Sequence, residues 1–292
     1  MQNVTPIAGL ALALELAPAV AFGCAAGRIA RAVERLPLPV RLSLPAALVI
    51  PYLMVSLAGH TFQWTWFALY AFLPLATAWL LWHAAAADPE QRGDWRDAFI
   101  LLVLGLAVDL RWLDSAWPAG LRALNELFLV DSGLYGFLAI RKLNGTGFDF
   151  HPRWSDWKTG LRELALFAPI VIALGMALGF IHPHKNLPGV GPALLRWVLI
   201  FFFTAVPEEL YFRAWVQNLL ERRLGRRSAL LIASVLFGLS HFNKRSAHFN
   251  WRYALLASIA GIFYGRAWRE HRRVPASTIT HASVDWLWGL WF

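Results

Sequence analysis

Cysteine is almost missing from this chain: Cys24 is the single one among 292 residues. That excludes an intrachain disulfide and any cysteine-rich metal site. Charge is scarce too, 15% of residues where a soluble domain carries roughly 25%. No Lys or Arg precedes the first apolar run, so residues 5–27 read as a retained membrane span rather than a cleaved signal peptide. There is no repeat of fixed period, no low-complexity tract beyond alanine-rich helix and no nucleic-acid-binding motif. What remains is 58% hydrophobic, with a mean hydropathy of +0.48. Its long apolar runs lack the polar face of a soluble helix.

Those runs fall at 5–27, 43–59, 62–84, 98–114, 119–140, 162–181, 192–221, 228–243, 252–268 and 275–291. Most approach the roughly 20 residues that cross a bilayer core. The expected fold is all-α, a polytopic helical membrane protein of about 8–10 transmembrane helices. Many of the Trp residues lie near run ends (Trp64, Trp66, Trp82, Trp95, Trp112, Trp117, Trp154 and Trp157), as interfacial anchors do. The net charge of +9 follows the same logic. With the N-terminus outside, 20 of the 27 Lys and Arg fall in or beside cytoplasmic loops, which satisfies the positive-inside rule without nucleic acid. The exception is the external loop "NKRSAHFNWR" at 243–252. The best boundary is the polar segment 141–160, whose Gly, Pro, Asn and Asp mark a long loop.

An ionisable residue inside a transmembrane helix is costly and points to function. In the first half Glu15 sits mid-run without a local partner, Asp109 and Arg111 lie near a run end where they can snorkel, and Glu126 and Asp131 fall within the run 119–140. In the second half the polar residues form a set. Glu209 and Arg213 are four apart and can pair on one helix face, and Glu208 points about 100° away from them. Pro207 interrupts the helix just before. Phe237 and His241 share a face, as do His281 and Asp285, and Gly238 and Ser240 permit close helix approach. Counted from the cytoplasmic ends of their runs, Glu208 and His241 both lie about 20 Å deep, but His281 only about 9 Å. Three antiparallel helices are thus expected to bring one carboxylate and two imidazoles to a buried site between the C-terminal helices.

"EELYFR" (208–213), "FGLSH" (237–241) and "HASVD" (281–285) follow one another within 78 residues. In that order they resemble the EExxxR, FxxxH and HxxxN/D motifs of the CPBP intramembrane proteases. That family includes CAAX-processing endopeptidases, bacteriocin-processing proteins and glutamic-type bacterial membrane proteases. The resemblance implies a protease core at 159–292, preceded by a membrane region at 1–158 of about five spans with no assigned role. It implies an intramembrane endopeptidase acting on a membrane-anchored protein or peptide precursor, in a bacterial inner (cytoplasmic) membrane. Carried over, Glu208 is the general base for water, His241 helps to hold that water, and His281 with Asp285 stabilises the oxyanion. Glu209, Arg213 and Phe237 support the site. Where many members have Asn, this chain has Asp285; an ionised Asp cannot donate, so it is expected to orient His281 and favour the imidazolium as donor.

Two His and a carboxylate also make a zinc set, with Glu208, His241 and His281 as ligands. HExxH is absent, however, and the three come from separate helices, so no cofactor is expected and zinc is the alternative. Two other functions fit buried Glu and His: a proton-coupled transporter, for which no inverted repeat is visible, and a non-catalytic family member acting as an immunity or scaffold protein. Substrate identity and oligomeric state have no signal in the sequence.

Overall fold

A computed structural model describes residues 6–184, 187–244 and 248–292. Among these residues all regular structure is helical. The chain divides into two compact units, Met1–Asn144 and Gly145–Phe292, the division falling inside the polar segment 141–160.

The first unit contains α1 (Pro6–Glu34), α2 (Leu38–Ala58), α3 (Trp64–Ala87), α4 (Trp95–Asp109) and α5 (Ala123–Ile140). Its α2 carries Pro45 and Pro51, residues without an N–H to give, and tightens to a 3₁₀ stretch over Leu44–Val49. The most enclosed helix is α5. Polar side chains inside this unit find one another. The Trp117 indole N–H donates to the Tyr70 hydroxyl at 2.5 Å, and Tyr70 donates to the Asn125 side chain. Trp117 is therefore a packed core residue, not the interfacial anchor expected of it, whereas Trp64, Trp95 and Trp112 are exposed at helix ends. Arg141 is buried and forks onto Asp97 at 3.0 Å and Asp88 at 2.7 Å. Glu15 and Asp131 are fully buried, and their carboxyl oxygens accept no hydrogen bond among the described residues.

The second unit contains α6 (Trp154–Ala177), α7 (Val190–Leu224), α8 (Arg226–Leu239), α9 (Trp251–His271) and α10 (Val274–Trp291). Lipid tails are as apolar as leucine, so helices in a membrane gain little from burying hydrophobic surface against each other. Close backbone approach, permitted by small residues, holds them instead. A Cβ on Gly238 of α8 would lie 1.9 Å from Ser258 Oγ and 2.3 Å from the Ala254 carbonyl on α9. One on Gly261 of α9 would meet Ser234 Cα at 2.9 Å, and one on Gly160 of α6 would meet Ile279 Cγ2 of α10 at 2.8 Å.

The first ten residues of α10, Val274 to Ser283, are all buried. A clamp fixes where that helix begins. Arg273 gives Nε and Nη2 to the two Asp156 oxygens at 2.8 and 3.0 Å, and Nη1 to Asp149 at 2.8 Å. Beside it Gly147, at φ +68°, lies so close to Arg272 that a Cβ would sit 1.8 Å from the Arg272 carbonyl oxygen. Its own carbonyl accepts from the Val274 N–H at 2.9 Å.

Among the described residues six helices, α1, α2, α3, α5, α6 and α7, are long and apolar enough to cross a membrane. Of the others, α4 and α8 are shorter and α9 and α10 more polar. The protein is an integral, multi-pass helical membrane protein.

Candidate active site

The helix carrying the two glutamates is not a uniform α-helix. Widened π-helical turns at Phe201–Ala205 and Leu210–Gln217 flank the short α-helical stretch Val206–Glu209, where Pro207 has no N–H for the ladder. Such turns change the direction in which the following side chains project.

Glu209 is completely buried and has a partner on each oxygen. Its Oε2 accepts from Arg213 Nε at 2.9 Å, and its Oε1 faces His281 Nδ1 at 2.9 Å. A carboxylate only accepts, so His281 carries its proton on Nδ1 and presents Nε2 to the site. Arg213 is buried as well, its guanidinium carbon 5.0 Å from the centre of the Phe237 ring. The ring faces of Phe237, Phe212 and Tyr264 thus help to accommodate a charge that one carboxylate alone would leave half solvated.

Glu208 faces elsewhere. Its Oε2 is buried without a hydrogen bond among the described residues and lies 3.9 Å from His281 Nε2. Its Oε1 is 3.7 Å from the Lys244 ammonium. Asp285 Oδ2 approaches the same His281 nitrogen at 3.5 Å. The bond that orients the imidazole through Nδ1 therefore comes from Glu209, and Asp285 faces the opposite nitrogen.

His241 lies just beyond α8, which ends at Leu239, rather than within the helix as its spacing suggested. Its Nδ1 is 2.8 Å from the Phe237 carbonyl oxygen, an acceptor, so this ring too donates from Nδ1 and turns Nε2 outward. Phe237 stands between the two histidines, its ring centre 4.9 Å from His241 and 5.5 Å from His281. Tyr253 packs on His241 at 4.8 Å, and Tyr264 stacks on His281 at 4.6 Å with the planes 17° apart. Neither tyrosine nor Lys244 is marked by any local motif; their proximity is a product of helix packing.

His281 comes level with Glu208 although its position along the chain placed it nearer the membrane edge. The first ten residues of α10 are buried next to the Arg273 clamp, and that packing sets the position from which His281 projects.

His241, His281 and Asp285 open onto one pocket between α6, α9 and α10, of about 740 Å³ including its mouth. Its walls are apolar: Phe167 and Val171 of α6, Phe180, and Trp288 of α10. A hydrophobic polypeptide segment can thus lie against groups able to donate hydrogen bonds, with little competition from water. Among the described residues no three His, Cys, Asp or Glu side chains are grouped closely enough to hold a metal ion. Arg245, in the basic loop after His241, lies outside the described residues.

This is a multi-pass membrane protein with a buried carboxylate–imidazole site. Residues 190–287, about a third of the chain, are similar to the family described as type II CAAX prenyl endopeptidase Rce1-like. That likeness supports CAAX-protease-type endopeptidase activity in general terms. No curated protein and no solved structure matches the chain.

Proposed function

We propose that this protein is an intramembrane endopeptidase that hydrolyses a peptide bond of a membrane-associated protein or peptide precursor with a water activated by Glu208. The observation that carries this reading is the division of labour between adjacent glutamates. Glu209 is engaged on both oxygens, whereas Glu208 keeps a buried oxygen 3.9 Å from His281 Nε2, too far for a direct hydrogen bond.

In the proposed reaction Glu208 takes a proton from water as the water oxygen bonds to the scissile carbonyl carbon. The carbonyl electrons move onto its oxygen, which accepts a hydrogen bond from His281 Nε2. Nε2 must carry a proton for this, and the carboxylates of Glu209, Glu208 and Asp285 around the ring favour the imidazolium. His241, through the Nε2 left outward by its bond to Phe237, orients the water. When the C–N bond breaks, Glu208 returns its proton to the departing amine. No metal enters, so cleavage by purified, chelator-washed protein is expected to persist. Activity that vanishes on chelation and returns with zinc overturns this part.

The decisive comparison is between membrane proteomes of cells carrying the wild-type and the Glu208→Ala protein. Uncleaved precursors should accumulate in the variant; identical proteomes sink the protease reading. Asp285→Asn tests the charge around His281 separately. A substantial fall in turnover is expected, and full activity shows that the Asp285 charge has no part in the reaction.

A further inference from the structure

Three helices of the second unit change from charged to apolar residues at one level. In α6, Arg162 and Glu163 precede the apolar run that begins at Leu164; in α8, Arg226 and Arg227 precede the run from Ala229; in α9, the apolar run ends at Arg266, with Arg269 and Glu270 in the last turns. The side chains at this border, Arg162, Glu163, Arg226, Arg266, Arg269 and Glu270, line a single pocket of about 620 Å³ including its mouth.

Four guanidiniums face two carboxylates there, and the carboxylates are already engaged. Glu163, fully buried, accepts from Arg162 at 2.8 Å and pairs with Arg266 at 3.1 Å. Glu270 accepts from Arg162 Nη1 at 3.1 Å. Among the described residues neither Arg226 nor Arg269 has a carboxylate within ion-pair distance; Arg269 instead donates to the Arg226 carbonyl at 3.1 Å. Two positive charges therefore converge without compensation. Arg226 also opens α8, whose first N–H groups receive no side-chain cap from Gly225, so the helix dipole adds to the positive potential. Orientation by the positive-inside rule accounts for basic residues on one side of a membrane, but not for their convergence on one concavity.

We propose that this pocket binds the phosphodiester headgroup of an anionic phospholipid. Guanidinium forks match phosphate oxygens in pairs, and basic pockets between transmembrane helices suit lipid headgroups. The site's level selects lipid over free phosphate. Leu166 and Ile170 continue the Arg162 face of α6 at four-residue steps and are exposed, as are Leu231 and Val235 on α8. Acyl chains hanging from a bound headgroup would run along these aliphatic stripes.

Native mass spectrometry of the full-length protein in detergent, with equal amounts of dioleoyl phosphatidylglycerol and dioleoyl phosphatidylcholine, tests this. The wild type should retain the phosphatidylglycerol selectively. Arg226→Gln/Arg269→Gln should lower that retention roughly tenfold or more, while Arg28→Gln/Arg31→Gln, an exposed basic pair outside the pocket, should leave it unchanged. Excess inorganic phosphate should not displace the lipid. Equal retention of the two lipids, an unaffected double variant or an equal loss in the outside pair overturns the proposal, and displacement by phosphate overturns the lipid source. If thermal unfolding shows that the double variant does not fold, Arg226→Gln alone carries the test, and undiminished retention there overturns the proposal.

Discussion

Glu208 and Glu209 are neighbours in sequence with opposite surroundings. The helical angle between them already separates their roles, and the i, i+4 spacing of Glu209 and Arg213 already suggests their pairing. The second bond of Glu209, to His281 Nδ1, joins residues 72 apart and has no local signal. It makes Glu209 a positioning residue for His281 as well as a counterion for Arg213. Glu208→Gln, which keeps the shape and removes the base, should cut turnover roughly 100- to 10,000-fold with little change in thermal stability. Glu209→Gln should behave differently. It leaves Arg213 buried without a counterion, a loss of about 3–5 kcal/mol, and frees His281 to turn. Thermal unfolding should show the destabilisation, and the folded fraction should lose kcat while KM holds. A stable Glu209→Gln protein of normal kcat contradicts this account.

Among the elements, each apolar run read from the sequence corresponds to a helix, because in a bilayer the backbone must satisfy its own hydrogen bonds and composition alone reports that demand. Ends and depths were less legible. His241 falls past the last turn of its helix, Trp117 is packed inside, and α10 begins buried, each the outcome of contacts with distant parts of the same unit. The tight α8–α9 contact is testable at Gly238. Gly238→Ala puts a methyl group against Ser258 Oγ and the Ala254 carbonyl, and should cost about 1–3 kcal/mol in thermal or denaturant unfolding. Adding Ser258→Ala should recover only part of this, since the carbonyl contact at 2.3 Å remains. Full recovery, or no loss in the single variant, shows that α8 and α9 separate without cost.

For the molecule as a whole, acid stability should depend in part on the Arg273 clamp. Partial burial pushes the Asp149 carboxyl up, but hydrogen bonds from Arg273 and from His151 outweigh this and bring it down to about 2. An unfolded Asp titrates near 4, roughly. A carboxyl depressed in the folded state contributes stability that is complete above about pH 4 and is lost as pH falls towards about 2. Across that window the wild type should therefore lose melting temperature faster than Asp149→Asn, with the gap between them closing at the acid end. Parallel curves show that the Asp149 interaction is not coupled to folding.

Composition and periodicity were enough to determine that this is an all-helical membrane protein and where its helices run, while the three short motifs of the proposed site stood out by family resemblance. These properties depend on the solvent each segment must face and on neighbours within one turn of helix. Tertiary structure alone decided that His281 sits level with Glu208, that Glu209 holds its far nitrogen, and that two tyrosines and Lys244 join the site. Those arrangements depend on helix depth and rotation, set by glycine contacts and by a buried arginine fork between residues more than a hundred positions apart.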